Sequence, residues 1–352
     1  MPQITQDIIV ASLRGLIAPE SIEGVAITAT PQGARVSVSV QIAPHQAEAM
    51  EVTRAKAEKT IAKLPGVAEV GVILTAHRQA PKLAPQDRPQ RKPATIHLPT
   101  VKHIVAIASG KGGVGKSATA VNLAVAFRQN GLRVGLLDAD IYGPSVPRLL
   151  NLAGKPHVTN EKKLVPMQQY GLEVMSMGFL VAEDAPMIWR GPMVHSALTQ
   201  MFRDVQWGEL DVMVVDLPPG TGDAQLTMAQ SVEMAGAVIV STPQDIALID
   251  ARKGLNMFRQ TGVPVLGIVE NMSYFSCPHC GERSDIFGHG GAREEAAKLG
   301  LPFLGEVPLD IAVRQTSDNG KPITEAQPDG ALAKTYRDIA TAVWTAINVN
   351  PQ

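Results

Sequence analysis

The 352-residue sequence has few aromatic residues, only two cysteines and no long apolar run. The last two shortages each exclude a class of protein. Two cysteines, both within residues 277–280, are too few for the disulfide framework of a secreted domain, so we expect a reducing, cytoplasmic location. No apolar run approaches the roughly 18 residues of a membrane-spanning helix. The N-terminus also lacks the basic start of a signal peptide. We therefore expect no membrane partner.

Positive and negative charges nearly balance, and the formal net charge of −1 gives no reason to expect nucleic acid as a partner. Apolar residues make up 45% of the chain, which is enough for a sizeable core. Most of them are Ala, Val, Ile and Leu, a mixture typical of parallel strands covered by helices on both faces. The length suits two or three domains, since one domain takes roughly 100–200 residues.

Residues 1–77 have the pattern of a small separate α+β domain. A helix is predicted at 4–17, where apolar residues recur near helical spacing, and valines alternate along a strand at 34–42. The full order is α-β-β-α-β, with the remaining elements predicted at 24–29, 45–63 and 67–75.

Residues 78–99 contain five prolines and few large apolar side chains. Proline excludes regular helix, and such a stretch buries too little surface to order itself. We interpret it as an extended linker. A loop packed on the main domain is the alternative, because prolines alone do not exclude packing.

Residues 100–352 alternate apolar strands with amphipathic helices, which predicts an open, mainly parallel sheet with right-handed crossovers. Strands are predicted at 103–108, 133–137, 172–177, 211–216, 236–242, 263–269 and 302–305. Helices are predicted at 116–130, 192–204, 246–261, 290–299 and 330–347.

A glycine-rich loop, GKGGVGKS at residues 110–117, joins the first of these strands to the first helix. It fits the P-loop pattern, whose glycines let backbone N–H groups surround a phosphate at a helix N-terminus. Lys116 is expected to reach the β and γ phosphates of ATP, and the Ser117 hydroxyl to bind Mg²⁺. A merely tight turn is the alternative. The residues expected to line the nucleotide are Gly110, Lys111, Gly112, Gly113, Val114, Gly115, Lys116, Ser117 and Ala118.

Acidic residues follow two other predicted strands. Asp138 and Asp140 end one strand and Asp216 ends another, and the carboxyl ends of parallel strands form the crevice where ligands bind. An aspartate after four apolar residues suits a carboxylate that faces Mg²⁺ through water. Each aspartate alone could equally cap a helix or a turn. Together with the loop they predict an ATPase.

Both cysteines lie in the sequence CPHC, as Cys277 and Cys280. Two thiolates at this spacing can bind one metal, yet both Zn²⁺ and a [4Fe–4S] cluster take about four ligands. Two chains related by a two-fold axis would supply four. A structural zinc, a redox dithiol and two incidental cysteines remain as alternatives.

Several motifs together resemble a known family. The leading lysine of KGGVGKS, with DADIYGPS and the strand ending at Asp216, resembles the deviant-Walker-A ATPases, among them MinD, ParA and the nitrogenase iron protein. Over roughly residues 100–345 the chain is similar to the Mrp/ApbC family of iron–sulfur cluster carriers. The motifs that carry this similarity are IWRGPM (188–193), STPQDIALIDARKG (241–254), VENMSYFSCPHCG (269–281), IFGHGGA (286–292) and VPLDIAVR (307–314).

The resemblance implies a homodimer with nucleotide near its interface. Lys111 would reach the phosphates bound by the partner subunit, Asp140 would position the attacking water, and Asp216 would hold Mg²⁺ indirectly. Asn271 would recognise adenine, and Pro308 and Arg314 would flank the base. The implied function is an ATP-dependent carrier that receives a [4Fe–4S] cluster from an assembly scaffold and passes it to apo-proteins.

Residues 1–77 resemble the small iron–sulfur assembly domain that often precedes this ATPase. Relatives of that domain commonly carry Asp-Pro-Glu and a cysteine, whereas this chain has Ala18-Pro19-Glu20 and no cysteine there. A docking or regulatory role is therefore favoured over cluster binding. For the whole chain, the alternatives are a MinD- or ParA-like spatial organiser with a zinc clasp and an electron-transfer ATPase.

Overall fold

The computed structural model describes residues 5–30, 33–42, 47–75, 95–180 and 191–349. The chain divides into two compact units, Met1–Gln90 and Arg91–Gln352. Residues 78–94 of the predicted linker, and residues 188–190 of the IWRGPM motif, lie outside the described ranges.

The first unit is a three-stranded sheet with two helices, in the predicted order. Its elements are α1 (Gln6–Ser12), β1 (Ile22–Thr30), β2 (Gly33–Gln41), α2 (Ala47–Ala62) and β3 (Val67–Thr75). The central strand β2 pairs antiparallel with β1 and parallel with β3. The alternating Val36, Val38 and Val40 are buried, as period-two patterning predicts. Helix α1 ends at Ser12, before the predicted limit at residue 17. Gly15 has a φ of +90°, a conformation that a right-handed helix cannot contain.

The second unit is built on a nine-stranded, mainly parallel sheet. Its order is β11-β10-β9-β4-β8-β5-β7-β6, with β12 also paired to β10. Among the strands of this sheet in the described ranges, only the short edge strands β6 and β11 run antiparallel to their neighbours. The strands are β4 (Val101–Ala108), β5 (Val134–Asp138), β6 (Met167–Gln169), β7 (Leu172–Ser176), β8 (Leu210–Asp216), β9 (Gly236–Ser241), β10 (Val265–Ser276), β11 (Arg283–Ser284) and β12 (Phe303–Leu309).

Helices cover both faces of this sheet, which confirms the predicted α/β class. One group contains α3 and α11, which contact each other, and the other contains α5, α6, α7 and α8 in sequence. No helix in the described ranges is long and apolar enough to cross a membrane. The helices are α3 (Lys116–Gln129), α4 (Val146–Leu149), α5 (Gly191–Arg203), α6 (Asp223–Ser231), α7 (Asp245–Thr261), α8 (Gly291–Leu299), α9 (Ile311–Asp318), α10 (Ile323–Ala326) and α11 (Ala331–Val349).

The end of the predicted linker differs from expectation. Ile96 and Leu98 are buried in the core of the second unit, and the Ile96 N–H donates to the Ser231 carbonyl. The end of the predicted linker therefore packs on the second unit, because two apolar side chains in this proline-bordered stretch are buried in its core. Four helices (α4, α6, α9 and α10) and two edge strands (β6 and β11) were also not predicted.

Candidate functional site

The phosphate loop, residues 110–117, connects the carboxyl end of β4 to the N-terminus of α3. Gly113 and Gly115 have φ angles of +81° and +79°, a region that favours glycine. Gly115 also caps α3, and within the described residues no side chain caps that helix end. Its first N–H groups are therefore available to an anion, and the helix dipole favours one.

Close packing explains two of the loop glycines. A Cβ on Gly110 would lie 2.1 Å from the Asp250 carbonyl carbon on α7, and one on Gly115 would lie 2.2 Å from Asn271 Nδ2. Asn271 Nδ2 donates to the Val114 carbonyl at 2.8 Å. The structure thus places Asn271 against the phosphate loop, and recognition of adenine by this residue stays a prediction.

A buried ion pair lies under the loop. Lys116 Nζ is 2.5 Å from Asp216 Oδ1 and 3.3 Å from Ser117 Oγ. Lys116 is 6% exposed and Asp216 is fully buried. Burial raises the pKa of Asp216, and the Lys116 ammonium opposes that shift. Sequence analysis expected these three residues at one site, and the structure brings them together.

These residues fit hydrated Mg²⁺. Asp216 Oδ2 is buried and has no hydrogen-bond partner in the described structure, which is costly for a carboxylate oxygen. Carboxylate and hydroxyl oxygens are ligands that Mg²⁺ takes alongside water and phosphate. Ser117 and Asp216 would hold the ion, which would neutralise charge on the phosphates.

Asp138 and Asp140 have different surroundings although they are two residues apart. Asp138 accepts hydrogen bonds from Asp140 N, Val146 N and Ser176 Oγ at 3.0–3.1 Å, so it holds the following loop in place. Burial raises the pKa of Asp138 to about 7, and the nearby Asp216 carboxylate adds to this shift.

Asp140, in contrast, reaches the site itself. It is 8% exposed, and burial raises its pKa while Lys116 lowers it. Its Oδ1 accepts a 3.3 Å hydrogen bond from Gly143 N. This placement beside Lys116 is compatible with orienting a water, which remains a prediction.

The loop that follows β8, residues 217–222, contacts the end of β4 just before the phosphate loop. Gly220 N donates to the Ser109 carbonyl at 3.0 Å, and Gln225 Nε2 donates to the Pro218 carbonyl. Gln225 is buried on α6. Neither Ser109 nor Gln225 was expected from the sequence, and α6, which carries Gln225, was itself not predicted.

Lys111 lies on the outer side of the phosphate loop. Its Nζ is 3.4 Å from Gln244 Oε1, at the start of α7. The contact is an exposed one within a single chain. Contact between Lys111 and nucleotide on a partner subunit stays a prediction.

The residues expected around the base follow from the pairing of β10 with β12. Asn271 lies opposite Val307, so Pro308 is one residue from the strand position beside Asn271. Arg314 lies farther along, on α9, where its side chain is 69% exposed and pairs with Asp318 at 2.9 Å. The structure therefore brings Pro308 near Asn271, and a base contact from Arg314 stays a prediction.

The cysteine hairpin, residues 275–284, projects from the end of β10. Cys277 N donates to the Glu282 carbonyl, and Gly281 N donates to the Cys277 carbonyl, at 2.9 and 2.8 Å. Backbone N–H groups of Cys280 and His279, together with the Cys280 side chain, lower the pKa of the Cys277 thiol. A thiolate is the form that binds metal.

The two thiols are near each other and open to solvent. Cys280 is exposed, Cys277 is half-buried, and both are free. No group of three or more His, Cys, Asp and Glu side chains able to hold a metal occurs in the described ranges. Among the residues that the structure describes, one chain therefore offers two ligands here.

Comparisons with known proteins indicate the family of the chain. The family model described as ParA, NUBPL iron-transfer P-loop NTPase, matches residues 100–344. An iron-sulfur cluster carrier protein of Synechocystis is 46% identical over 356 aligned positions, covering 97% of each chain. An Arabidopsis thaliana protein named as an iron-sulfur protein required for NADH dehydrogenase, mitochondrial, is 56% identical over 249 residues, covering 70% of this chain and 80% of the relative.

Solved structures show the same fold. A nucleotide-binding protein of Archaeoglobus fulgidus in complex with ADP is 44% identical with a TM-score of 0.58, covering 65% of this chain and 90% of that one. The cell division ATPase MinD of Pyrococcus furiosus is 22% identical with a TM-score of 0.53, covering 69% and 98%, and shares the fold. The relatives confirm the resemblance to iron–sulfur cluster carriers. The chain belongs to the NUBPL iron-transfer family of P-loop NTPases and is an ATPase.

Proposed function

We propose that two copies of the chain hold a [4Fe–4S] cluster between their cysteine hairpins and transfer it to apo-proteins under the control of ATP. The observation that carries this proposal is an exposed pair of neighbouring thiols with half of the ligands that a cluster takes. The cluster is cargo, so the protein must bind it firmly enough to carry and loosely enough to release.

A symmetric dimer completes the ligand set. A two-fold axis through the hairpins would bring Cys277 and Cys280 of both subunits together, giving four thiolates. The lowered pKa of Cys277 favours the ligating form before metal arrives. An exposed position also suits release, because an acceptor protein can approach the cluster directly.

ATP would act as a timer for this exchange. Lys116 would leave Asp216 for the phosphates, freeing the carboxylate to hold Mg²⁺ through water. Asp140 would orient the attacking water, and Lys111 would contact nucleotide on the partner. Switching of the dimer between nucleotide states would then alter access to the hairpins.

The partners that fit this role are a cluster-assembly scaffold and apo iron–sulfur proteins. We place the exchange in the cytoplasm, where few cysteines and no disulfide framework are expected. The Arabidopsis relative is named mitochondrial, so fractionation of the native host cells is the check on location.

The test is metal analysis after anaerobic purification of the wild type, Cys277→Ser and a Ser276→Ala control that keeps both thiols. We expect about four irons and four sulfides per dimer, lost in Cys277→Ser and retained in the control. Cluster transfer to an apo-ferredoxin should occur with the wild type and the control, should be lost in Cys277→Ser, and should respond to Mg-ATP. Zinc at about one per dimer, without iron, would contradict the carrier and indicate a structural clasp.

A further inference from the structure

Strand β10 carries two buried polar residues that the nucleotide site does not use. Glu270 and Ser273 are both fully buried. Glu270 Oε2 accepts from Ala292 N at the start of α8 at 2.7 Å, and Glu270 Oε1 accepts from Ser273 Oγ at 2.6 Å. A buried carboxylate is costly, so its position invites a functional explanation.

Ser273 lies between two carboxylates and has one proton to donate. Besides Glu270, its Oγ is 3.3 Å from Glu306 Oε2 on β12. A hydroxyl can donate that proton to one carboxylate at a time. The Ser273 side chain is therefore an element with two alternative arrangements, which is what transmission between two sites requires.

Glu306 also contacts the cysteine hairpin. Its Oε1 is 3.8 Å from Arg283 Nη1, three residues after Cys280. Arg283 also lies over the Tyr274 ring at 3.9 Å and donates to Asp285 Oδ1 and His289 Nδ1 at 3.1 and 2.7 Å. Arg283 thus contacts residues on both sides of the hairpin, and Glu306 contacts Arg283.

The other end of this connection touches the phosphate loop. Asn271, the residue after Glu270, holds the Val114 carbonyl at 2.8 Å. Met272, between Asn271 and Ser273, has a φ of +55°, which is strained for a non-glycine residue. The β10–β12 register shifts between Asn271 and Phe275. Movement of the phosphate loop would therefore displace the strained segment directly before Ser273.

We propose that Ser273, Glu306 and Arg283 are positioning residues that couple the phosphate loop to the cysteine hairpin through β10. Nucleotide at the loop shifts Asn271, Ser273 changes the carboxylate to which it donates, and Glu306 tightens or loosens its hold on Arg283. The functional meaning of this coupling rests on the proposed carrier role, but the coupling itself is measurable without a cluster.

The two cysteines make the test specific, because every alkylation of a thiol reports on the hairpin. The full-length, metal-free protein is treated with iodoacetamide with no nucleotide, with Mg-ADP and with a slowly hydrolysed ATP analogue. In the wild type we expect nucleotide to change the alkylation rate about five-fold or more, a coupling in the range usual for allosteric pairs. In Ser273→Ala and Glu306→Gln the change should fall below about two-fold.

The matched control is Glu294→Gln. Glu294 forms an exposed ion pair with Lys298 on α8 at 3.7 Å, close to the 3.8 Å of the Glu306–Arg283 pair. Its substitution therefore removes the same charge from an ion pair of similar length outside the proposed connection. It should keep the wild-type response. Glu306 is only part-buried, so Glu306→Gln keeps the test valid if Ser273→Ala fails to fold.

A wild type whose alkylation ignores nucleotide would overturn the coupling, and so would an undiminished response in both variants. The rates are measured at two protein concentrations ten-fold apart. A response that scales with concentration would arise from association of subunits and would also overturn transmission through β10. Iron content is determined separately, so a chain that binds no cluster but keeps coupled thiols would contradict the carrier alone.

Discussion

The phosphate loop and the cysteine hairpin lie on the same chain yet are built in opposite ways. Lys116 and Asp216 are buried at 6% and 0% exposure, and packing from α7 and β10 fixes the loop above them. The hairpin is mostly exposed and is held by its own backbone bonds and by Arg283. The first site is preorganised by the fold, whereas the second offers part of a ligand set.

The ligands proposed for the two sites account for this difference. Phosphate chemistry gains from fixed charges and dipoles in a place that excludes water, which accounts for the burial of Lys116 and Asp216 under the loop. A cluster that is to be handed on must remain accessible to the acceptor. Burial of its ligands would slow the transfer that a carrier performs. Substitutions at each site can reveal how far the two sites are independent.

The largest effect is expected at the buried pair. Lys116→Ala should lower the ATPase kcat by about 10²- to 10³-fold, since it removes a preorganised charge at the phosphates. Metal bound at the hairpin should change little, because the two sites use different residues. Phosphate release and iron analysis on one preparation measure both. Activity within ten-fold of the wild type would mean that Lys116 does not bear on the phosphates.

Substitution of the phosphate-loop glycines by alanine should lower the free energy of unfolding by different amounts. Gly115→Ala combines a φ of +79° with a Cβ 2.2 Å from Asn271 Nδ2, and should lower the free energy of unfolding by about 2 kcal/mol or more. Gly113→Ala has the positive φ but no atom within 4 Å, and should cost about 1 kcal/mol. Gly112→Ala has neither feature and should stay within about 0.5 kcal/mol. Urea unfolding without nucleotide measures all three, and equal costs would contradict the packing argument.

The buried carboxylates predict a pH dependence of stability. The pKa of Asp138 is raised to about 7, so between about pH 4 and 7 the native state binds a proton that the unfolded chain has released. The free energy of unfolding should therefore fall as pH rises through this window. Asp138→Asn should flatten the fall, whereas Asp204→Asn, at a half-exposed side chain, should not. An unchanged slope in Asp138→Asn would assign the dependence to other groups.

How much the sequence reveals differs between the same two regions. The strands and long helices of the second unit were predicted within a few residues, because buried parallel strands are continuous apolar runs and helices repeat near 3.6 residues. The short α4, α9 and α10 were not, since one or two turns give too little periodicity. Strand β10 was predicted to end at 269 but continues to Ser276, because polar residues there bond to Glu306 and the loop rather than to apolar neighbours.

The sequence predicted which residues form the nucleotide site but not the contacts that they make. The loop pattern identified Lys116, Ser117 and Asp216 correctly as neighbours. It could not reveal that Asn271 holds the Val114 carbonyl, because that bond joins residues 157 positions apart. Nor could it separate Asp138, which holds a loop, from Asp140, which faces Lys116. Two aspartates with one residue between them look alike until the hydrogen bonds are known.

The smallest effect is expected where the hairpin is most exposed. In metal-free protein, the double variant Cys277→Ser, Cys280→Ser should change the free energy of unfolding by less than about 0.5 kcal/mol, as surface substitutions usually do. ATP affinity should also be unchanged, which equilibrium titration would measure. With metal supplied, the wild type alone should gain thermal stability, since ligand binding to the native state stabilises it. A large loss of stability in the metal-free variant would mean that the thiols support the fold, and the contrast between the two sites would fail.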